Sequence, residues 1–293
     1  SYYSIKNYKE VNSEFGSLED FRNVVKQAHD LGLKVILDWV PNHTSRDNAW
    51  ITEHPDWYRR DSLGNPIVMY DWTDIAPLDY EKPEMRSAML DAMTFWVREA
   101  DIDGFRCDVA YEVPMDFWKI AKDSLVALKP DIFMLAEAEK PELNKSVFDA
   151  FYAWDFHHKM NMVAQGKENV DSLRLSLQRM NNNFSSNAIP MLFTSNHDEN
   201  SWNGTEFERM GDAAKTFAVL SYMLPGMPLI YNGQEVGFNR RLQFFEKDSI
   251  NWTDKGGFTD LYKSLNILKK NNKALLSQEI DGKMTEIIND KSE

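Results

Sequence analysis

The stretch SLEDFRNVVKQAHDLGLKVILDWVPNH, residues 17–43, holds one full period of the fold. Leu18, Phe21, Val24, Val25, Ala28 and Leu31 recur at helical spacing, Ser17 and Asp20 make a capping-box pair, and Gly32 ends the helix. A continuous apolar strand follows from Lys34 to Val40, and the polar pair Asn42 and His43 comes directly after it. A helix, a fully apolar strand and a polar strand end are the parts of a parallel sheet covered by helices.

The same period repeats downstream. A helix with Met85, Met89, Ala92, Met93 and Trp96 precedes a strand at Asp103–Val109, and a helix around Phe117–Leu128 precedes a strand at Ile132–Glu137. A weaker strand at Phe148–Tyr152, a helix near Val170–Met180, a strand at Ile189–Thr194, a helix near Met210–Met223 and a strand at Pro228–Asn232 follow, with a last helix from about Phe258 to Lys270. The fold class is therefore α/β. Polar residues gather after the strands: Asn42 and His43, Asp108, Glu137, His197 and Asp198, Gln234 and Glu235. Contributions from several strand ends favour a (β/α) barrel over an open doubly wound sheet. Six strands are readable where the (β/α)8 TIM barrel has eight, so the expectation is a barrel whose first two strands precede Ser1. The expected organisation is a catalytic barrel at 1–43 and 81–273, a small inserted subdomain at 44–80 without a clear helix, and the start of a further β module at 274–293.

Composition narrows the classes. The 293 residues carry 33 Lys+Arg against 46 Asp+Glu, a net charge of −13 that argues against a nucleic-acid partner. With 43% hydrophobic residues the chain can bury a sizeable core. Cys107 is the only cysteine, which excludes an internal disulfide, and no zinc-type spacing occurs. No apolar run reaches the ~18 residues a membrane span needs. SYYSIKNYKE has no signal-peptide profile, so any targeting segment would lie upstream of Ser1.

Three carboxylates on three strands form the sharpest constellation: Asp108, Glu137 and Asp198. Arg106 precedes Asp108 by two residues, so both side chains leave the same face of the strand and the guanidinium can hold Asp108 ionised, as a nucleophile requires. Glu137 closes the apolar run FMLAE, where an apolar surround and a neighbouring anion would keep it protonated as a general acid. Two carboxyl groups with divided roles are the basis of glycoside hydrolysis. Taken singly, each acid reads as an ordinary solvated loop residue; the set at strand ends favours function. Asp38 reads as a buried structural partner of Arg106, and Cys107, on the opposite face of its strand, as a small buried hydrophobe.

VILDWVPNHTS (Val35–Ser45), DGFRCDVA (Asp103–Ala110), MLAEAE (Met134–Glu139) and TSNHDEN (Thr194–Asn200) resemble, in order and spacing, the four signature regions of the α-amylase superfamily of retaining glycoside hydrolases, family 13 type. YSIKNY (Tyr3–Tyr8) and EFGSLEDF (Glu14–Phe21) extend the resemblance over nearly the whole chain. It implies an enzyme that cleaves α-glucosidic bonds, mainly α-1,4, in starch-derived oligosaccharides or polysaccharides by double displacement. By the resemblance Asp108 is the nucleophile, Glu137 the acid/base and Asp198 the third carboxylate. Arg106 orients Asp108, His43 and His197 bond sugar hydroxyls, and Tyr3 stacks under the sugar at the cleavage point. No cofactor is required for the chemistry. Asn42 matches a position that binds a structural calcium in many members, and a buried asparagine closing a turn accounts for it equally well. Many members follow the nucleophile with Lys-His, whereas this chain reads Val109-Ala110-Tyr111-Glu112, which weighs against both calcium and a polymer-cleaving pattern. Trp50, Trp57, Tyr58 and Trp72 fit either stacking platforms for glucose rings or a small core within the insert. An α-glucan transglycosylase, a cyclodextrin-degrading enzyme and a silent sugar-binding scaffold are the alternatives; intact carboxylates favour an enzyme. His157 and His158 have no partner legible in the sequence.

Overall fold

The computed structural model describes residues 2–275 and 287. Helix α1 (Leu18–Asp30) has the expected capping box: the Ser17 hydroxyl accepts from the Asp20 N–H, and the Asp20 carboxylate accepts from the Ser17 N–H. Strand β1 (Ile36–Trp39) follows. The insert then contains β2 (His43–Ser45), a one-turn helix α2 (Trp50–Glu53), a 3-10 turn at Pro55–Trp57, and β3 (Ile75–Pro77), which pairs antiparallel with β2. No helical signal is legible there because a four-residue helix is too short to show periodicity.

Next come α3 (Pro83–Ala100), β4 (Gly104–Cys107), α4 (Met115–Leu128), β5 (Phe133–Ala136) and β6 (Ala150–Tyr152). These elements belong to a compact unit that runs to Tyr152 and includes Asn183–Ala188. Its sheet has the order β1-β4-β5-β6, all parallel. Register places Asp38 opposite Arg106, and Arg106 opposite Leu135. Gly104 permits this pairing: a Cβ there would lie 2.1 Å from the Phe133 carbonyl oxygen. The core gathers Trp39, Phe105, Met85, Met89, Met93, Phe117 and Trp118, all buried. Trp57 and Tyr58 are buried in the same core and Trp50 packs against it, so three of the four insert aromatics are structural. Cys107 is fully buried, and burial pushes its thiol well up.

The second unit comprises Ala153–Asn182 and continues from Ile189. It holds α5 (Trp154–Ala164), most of α6 (Val170–Asn183), β7 (Ile189–Leu192), α7 (Glu206–Met210), α8 (Ala214–Met223), β8 (Met227–Pro228) and α9 (Phe258–Asn271). β7 and β8 pair in parallel, and Tyr222, Phe258, Tyr262 and Leu265 build the local core. Helix α5 was not legible in the sequence, and the helix expected near 210–223 is α8, preceded by a 3-10 turn whose first residue, Gly211, has a φ of +54° in the left-handed region. Among the described residues no helix is long and apolar enough to cross a membrane. The segment expected to begin another module, 274–293, lies almost entirely outside the described residues.

Candidate active site

Strand β4 carries an acid at each end. Asp103, at its start, is buried and accepts bonds from His29, Lys34, Lys129 and the Val35 N–H. Burial opposes its charge, but these donors hold the carboxyl well below its usual range. That is a structural ion-pair hub at the start of β4, the end away from Asp108.

Arg106 organises the other end. Its Nη1 donates to Asp108 Oδ1 at 2.7 Å and to Asp38 Oδ1 at 2.8 Å, while Nε donates to the Tyr152 hydroxyl at 3.1 Å. Nη2 lies 2.6 Å from Glu137 Oε1, an ion pair off the hydrogen-bond line. Burial works against the guanidinium charge, but Asp38, Tyr152, Glu137 and Asp108 outweigh it and raise its pKa well above the usual value. Asp108 and Glu137 thus contact adjacent nitrogens of one planar fork.

Two expectations are corrected here. Asp38 does partner Arg106 but is not buried: its side chain is 58% exposed, because among the described residues β1 has a sheet neighbour only on the β4 side. Glu137 does not sit in an apolar surround. Besides Arg106, its Oε2 accepts the Val109 N–H at 2.9 Å. Val109 reaches that position with φ +44° and ψ +43°, a left-handed conformation rare for a β-branched residue and a store of strain directly after Asp108. Strand alternation gave no hint of it.

His43 is buried, and burial lowers its ring pKa against the pull of Asp108, the Tyr3 backbone carbonyl and Asp74. The Tyr3 backbone therefore reaches the site through His43. Trp72, half-buried, lies 5.7 Å from the His43 ring and 4.8 Å from Tyr70. Asn42 is buried, its carbonyl accepts the Leu78 N–H, and its side-chain nitrogen is an orphan donor. No group of three or more His, Cys, Asp or Glu able to hold a metal occurs among the described residues.

In the second unit, His197 Nε2 lies 3.4 Å from Asp198 Oδ2, and Asp198 directly precedes a π-helical turn at Glu199–Asn203. A buried network anchors that turn. His157, with no exposed surface, bonds the Phe193 carbonyl through Nδ1 and meets Glu199 Oε2 at 3.1 Å through Nε2. Arg209 donates to Asn161 Oδ1, the Thr194 carbonyl and the Gly204 carbonyl. Burial would raise the Glu199 carboxyl, but His157 and Arg209 bring it down to about 2. Glu206 goes the other way: burial pushes it up to about 7 despite the Thr194 hydroxyl and Arg209. Sequence reading missed Tyr152, Glu199, Glu206 and Arg209, and left His157 without a partner. The structure brings Tyr3, His43, Arg106, Asp108 and Glu137 together in one unit and pairs His197 with Asp198 in the other.

The family model described as alpha amylase, catalytic domain, matches residues 1–72 and 56–292. An alpha-amylase of Haloarcula japonica is 31% identical over 261 residues, covering 85% of this chain and 38% of the relative. A cyclomaltodextrinase of Geobacillus thermopakistaniensis is 30% identical, covering 80% of this chain and 44% of the relative. The crystal structure of an alpha-amylase from Lactobacillus plantarum superposes with a TM-score of 0.85 at 32% identity, covering 94% of this chain and 68% of that one. The chain thus spans about two fifths of the length of these two curated relatives.

Proposed function

The chain belongs to the alpha-amylase family, and from that premise we propose that it carries the catalytic carboxylates of a retaining hydrolase of α-glucosidic bonds, mainly α-1,4, in starch-derived oligosaccharides. The observation that carries this reading is the Arg106 fork, which holds Asp108 and Glu137 on neighbouring nitrogens at 2.7 and 2.6 Å. A retaining double displacement needs nucleophile and acid carboxyls about 5–5.5 Å apart, a spacing that one guanidinium between them favours.

In this reading Asp108 attacks the anomeric carbon and forms a glycosyl ester, while Glu137 protonates the departing oxygen and then takes a proton from the incoming water. Protonating Glu137 removes its charge attraction to Arg106 and leaves the guanidinium charge to Asp108 and Asp38. His43 and His197 bond sugar hydroxyls, Asp198 holds the distorted ring, and Tyr3 stacks beneath it. The carboxylates supply nucleophile and proton themselves, and the reading routes no step through a metal. The cyclomaltodextrinase relative keeps ring-shaped glucans among the candidate substrates.

The test is full-length protein with maltooligosaccharides, cyclodextrins and pullulan, products followed by anomer-resolved NMR. Retention of the α-anomer is expected, and inversion refutes the mechanism. Asp108→Asn should abolish turnover of every substrate. Glu137→Gln should spare aryl glycosides, whose leaving group departs without protonation; equal loss on an aryl glycoside and a glucan refutes the acid role.

A further inference from the structure

The π-helical turn after Asp198 continues into Trp202, 57% exposed, and the irregular segment at residues 239–249 places Phe245, 53% exposed, and Phe244 against it. The three rings pack as one cluster: Trp202 to Phe244 at 4.9 Å, Trp202 to Phe245 at 6.2 Å, and Phe244 to Phe245 at 4.9 Å edge-on. Phe244 stacks on His197 at 6.3 Å with the rings 16° apart, so the cluster is continuous with the residue assigned to sugar hydroxyls.

Polar bonds hold both segments. Asn200 acts as a backbone surrogate, accepting the Leu242 N–H at 2.8 Å and donating to the Arg240 carbonyl, and the Ser201 hydroxyl donates to the Leu242 carbonyl. At the far end of the segment Asp248 binds Arg240 through both carboxylate oxygens and accepts the Gln243 and Ser249 N–H groups. A loop without regular structure is therefore braced at each end, and its exposed rings are ordered before anything binds.

We propose that Trp202, Phe244 and Phe245 form a stacking platform for a glucose ring of the α-glucan chain lying away from the bond that is cut, and so set a preference for longer chains. The proposal rests on the α-glucan reading above. Glucose presents apolar C–H faces that suit an aromatic surface, and its hydroxyls suit the flanking polar groups of Arg240 and Gln243. Size argues against a protein partner. Aromatic side chains of about 150–250 Å² each, with Trp202 and Phe245 roughly half exposed and Phe244 less so, offer at most about 300 Å², well short of the roughly 800 Å² that each side of a stable protein interface buries.

The test compares kcat/KM for maltoheptaose with that for an aryl maltoside in wild type, Trp202→Ala, Trp202→Phe and Phe245→Ala, with Trp252→Ala as control. Trp252 is a 55% exposed tryptophan outside the cluster. Trp202→Ala should lower the long-to-short ratio by about tenfold through KM, Trp202→Phe should restore most of it, and Trp252→Ala should leave it unchanged. An unchanged ratio in Trp202→Ala, or an equal fall in Trp252→Ala, overturns the platform while leaving the α-glucan reading intact. A wild type that cleaves neither substrate overturns the α-glucan reading and the platform with it.

Discussion

Replacing Arg106 by lysine keeps the charge and removes the geometry. Arginine serves Asp38 and Asp108 from Nη1, Glu137 from Nη2 and Tyr152 from Nε. An ammonium concentrates its donors on one atom and can stay with the Asp38–Asp108 pair or move toward Glu137, but cannot span both sides of the fork. The lost Glu137 contact is a close, largely buried ion pair worth about 2 kcal/mol, and the lost Tyr152 hydrogen bond is worth about 1 kcal/mol. If the fork sets the spacing of the two carboxylates, roughly 3 kcal/mol moves into the barrier, about a hundredfold in kcat/KM. Arg106→Lys should therefore cut kcat on maltotetraose about a hundredfold with KM little changed. Arg106→Met, which strips the cation from beside three acids, should in addition destabilise the fold by about 3–5 kcal/mol in urea unfolding. Retention of more than a third of wild-type kcat by Arg106→Lys would refute the positioning role. So would a tenfold rise in KM at constant kcat, since that pattern marks ground-state binding.

Gly104→Ala should be severe, because the new Cβ would lie 2.1 Å from a backbone oxygen of the neighbouring strand and β4 and β5 must part to admit it. A loss of at least about 3 kcal/mol in urea unfolding and near-complete loss of activity are expected, and a loss under about 1 kcal/mol would show that the sheet yields. Glu206 gives a pH test. Its folded carboxyl titrates at about 7 because of burial, against about 4.5 when unfolded, so the folded state holds the extra proton between those values. Stability contributed at this site is highest below pH 4.5, falls as pH climbs toward 7 and is flat above, by at most about 3 kcal/mol. Glu206→Gln should remove that slope and gain on wild type at pH 8 relative to pH 4.5; a difference between the two proteins that is the same at both values rejects the buried neutral acid.

The alternation of helices and apolar strands was legible because the strands are continuous apolar runs, with β4 buried on both faces and β5 nearly so, and the long helices carry apolar residues at helical spacing. Arg106 and Asp108 were legible as a pair because i and i+2 share a strand face. The surroundings of Glu137 were not, since they depend on cross-strand register that sets Asp38, Arg106 and Leu135 side by side. Helix α5 escaped notice because its buried face mixes Phe156 and Met160 with His157 and Asn161, and hydrophobic periodicity counts the latter as solvent-facing. Glu199 and Arg209 were missed for the same reason: each tolerates burial only because the other elements of the network satisfy it. The aromatic cluster joins residues more than forty positions apart through hydrogen bonds of Asn200 and Ser201, which no local pattern encodes.

The two ends of β4 explain why one aspartate of this strand suits chemistry and the other does not. Asp103 is engaged on both oxygens by four donors and shut from solvent, so any attack would first have to break charge-assisted bonds worth several kcal/mol. Asp108 is braced at Oδ1 by one guanidinium, and its side chain remains 21% exposed. That combination fixes its direction without exhausting its lone pairs. The strained peptide that follows turns the Val109 N–H toward Glu137 rather than Asp108. The fold thereby saturates the acid it uses for stability and leaves the acid beside Glu137 directed but with lone pairs to spare, which is what the proposed role of Asp108 as nucleophile requires.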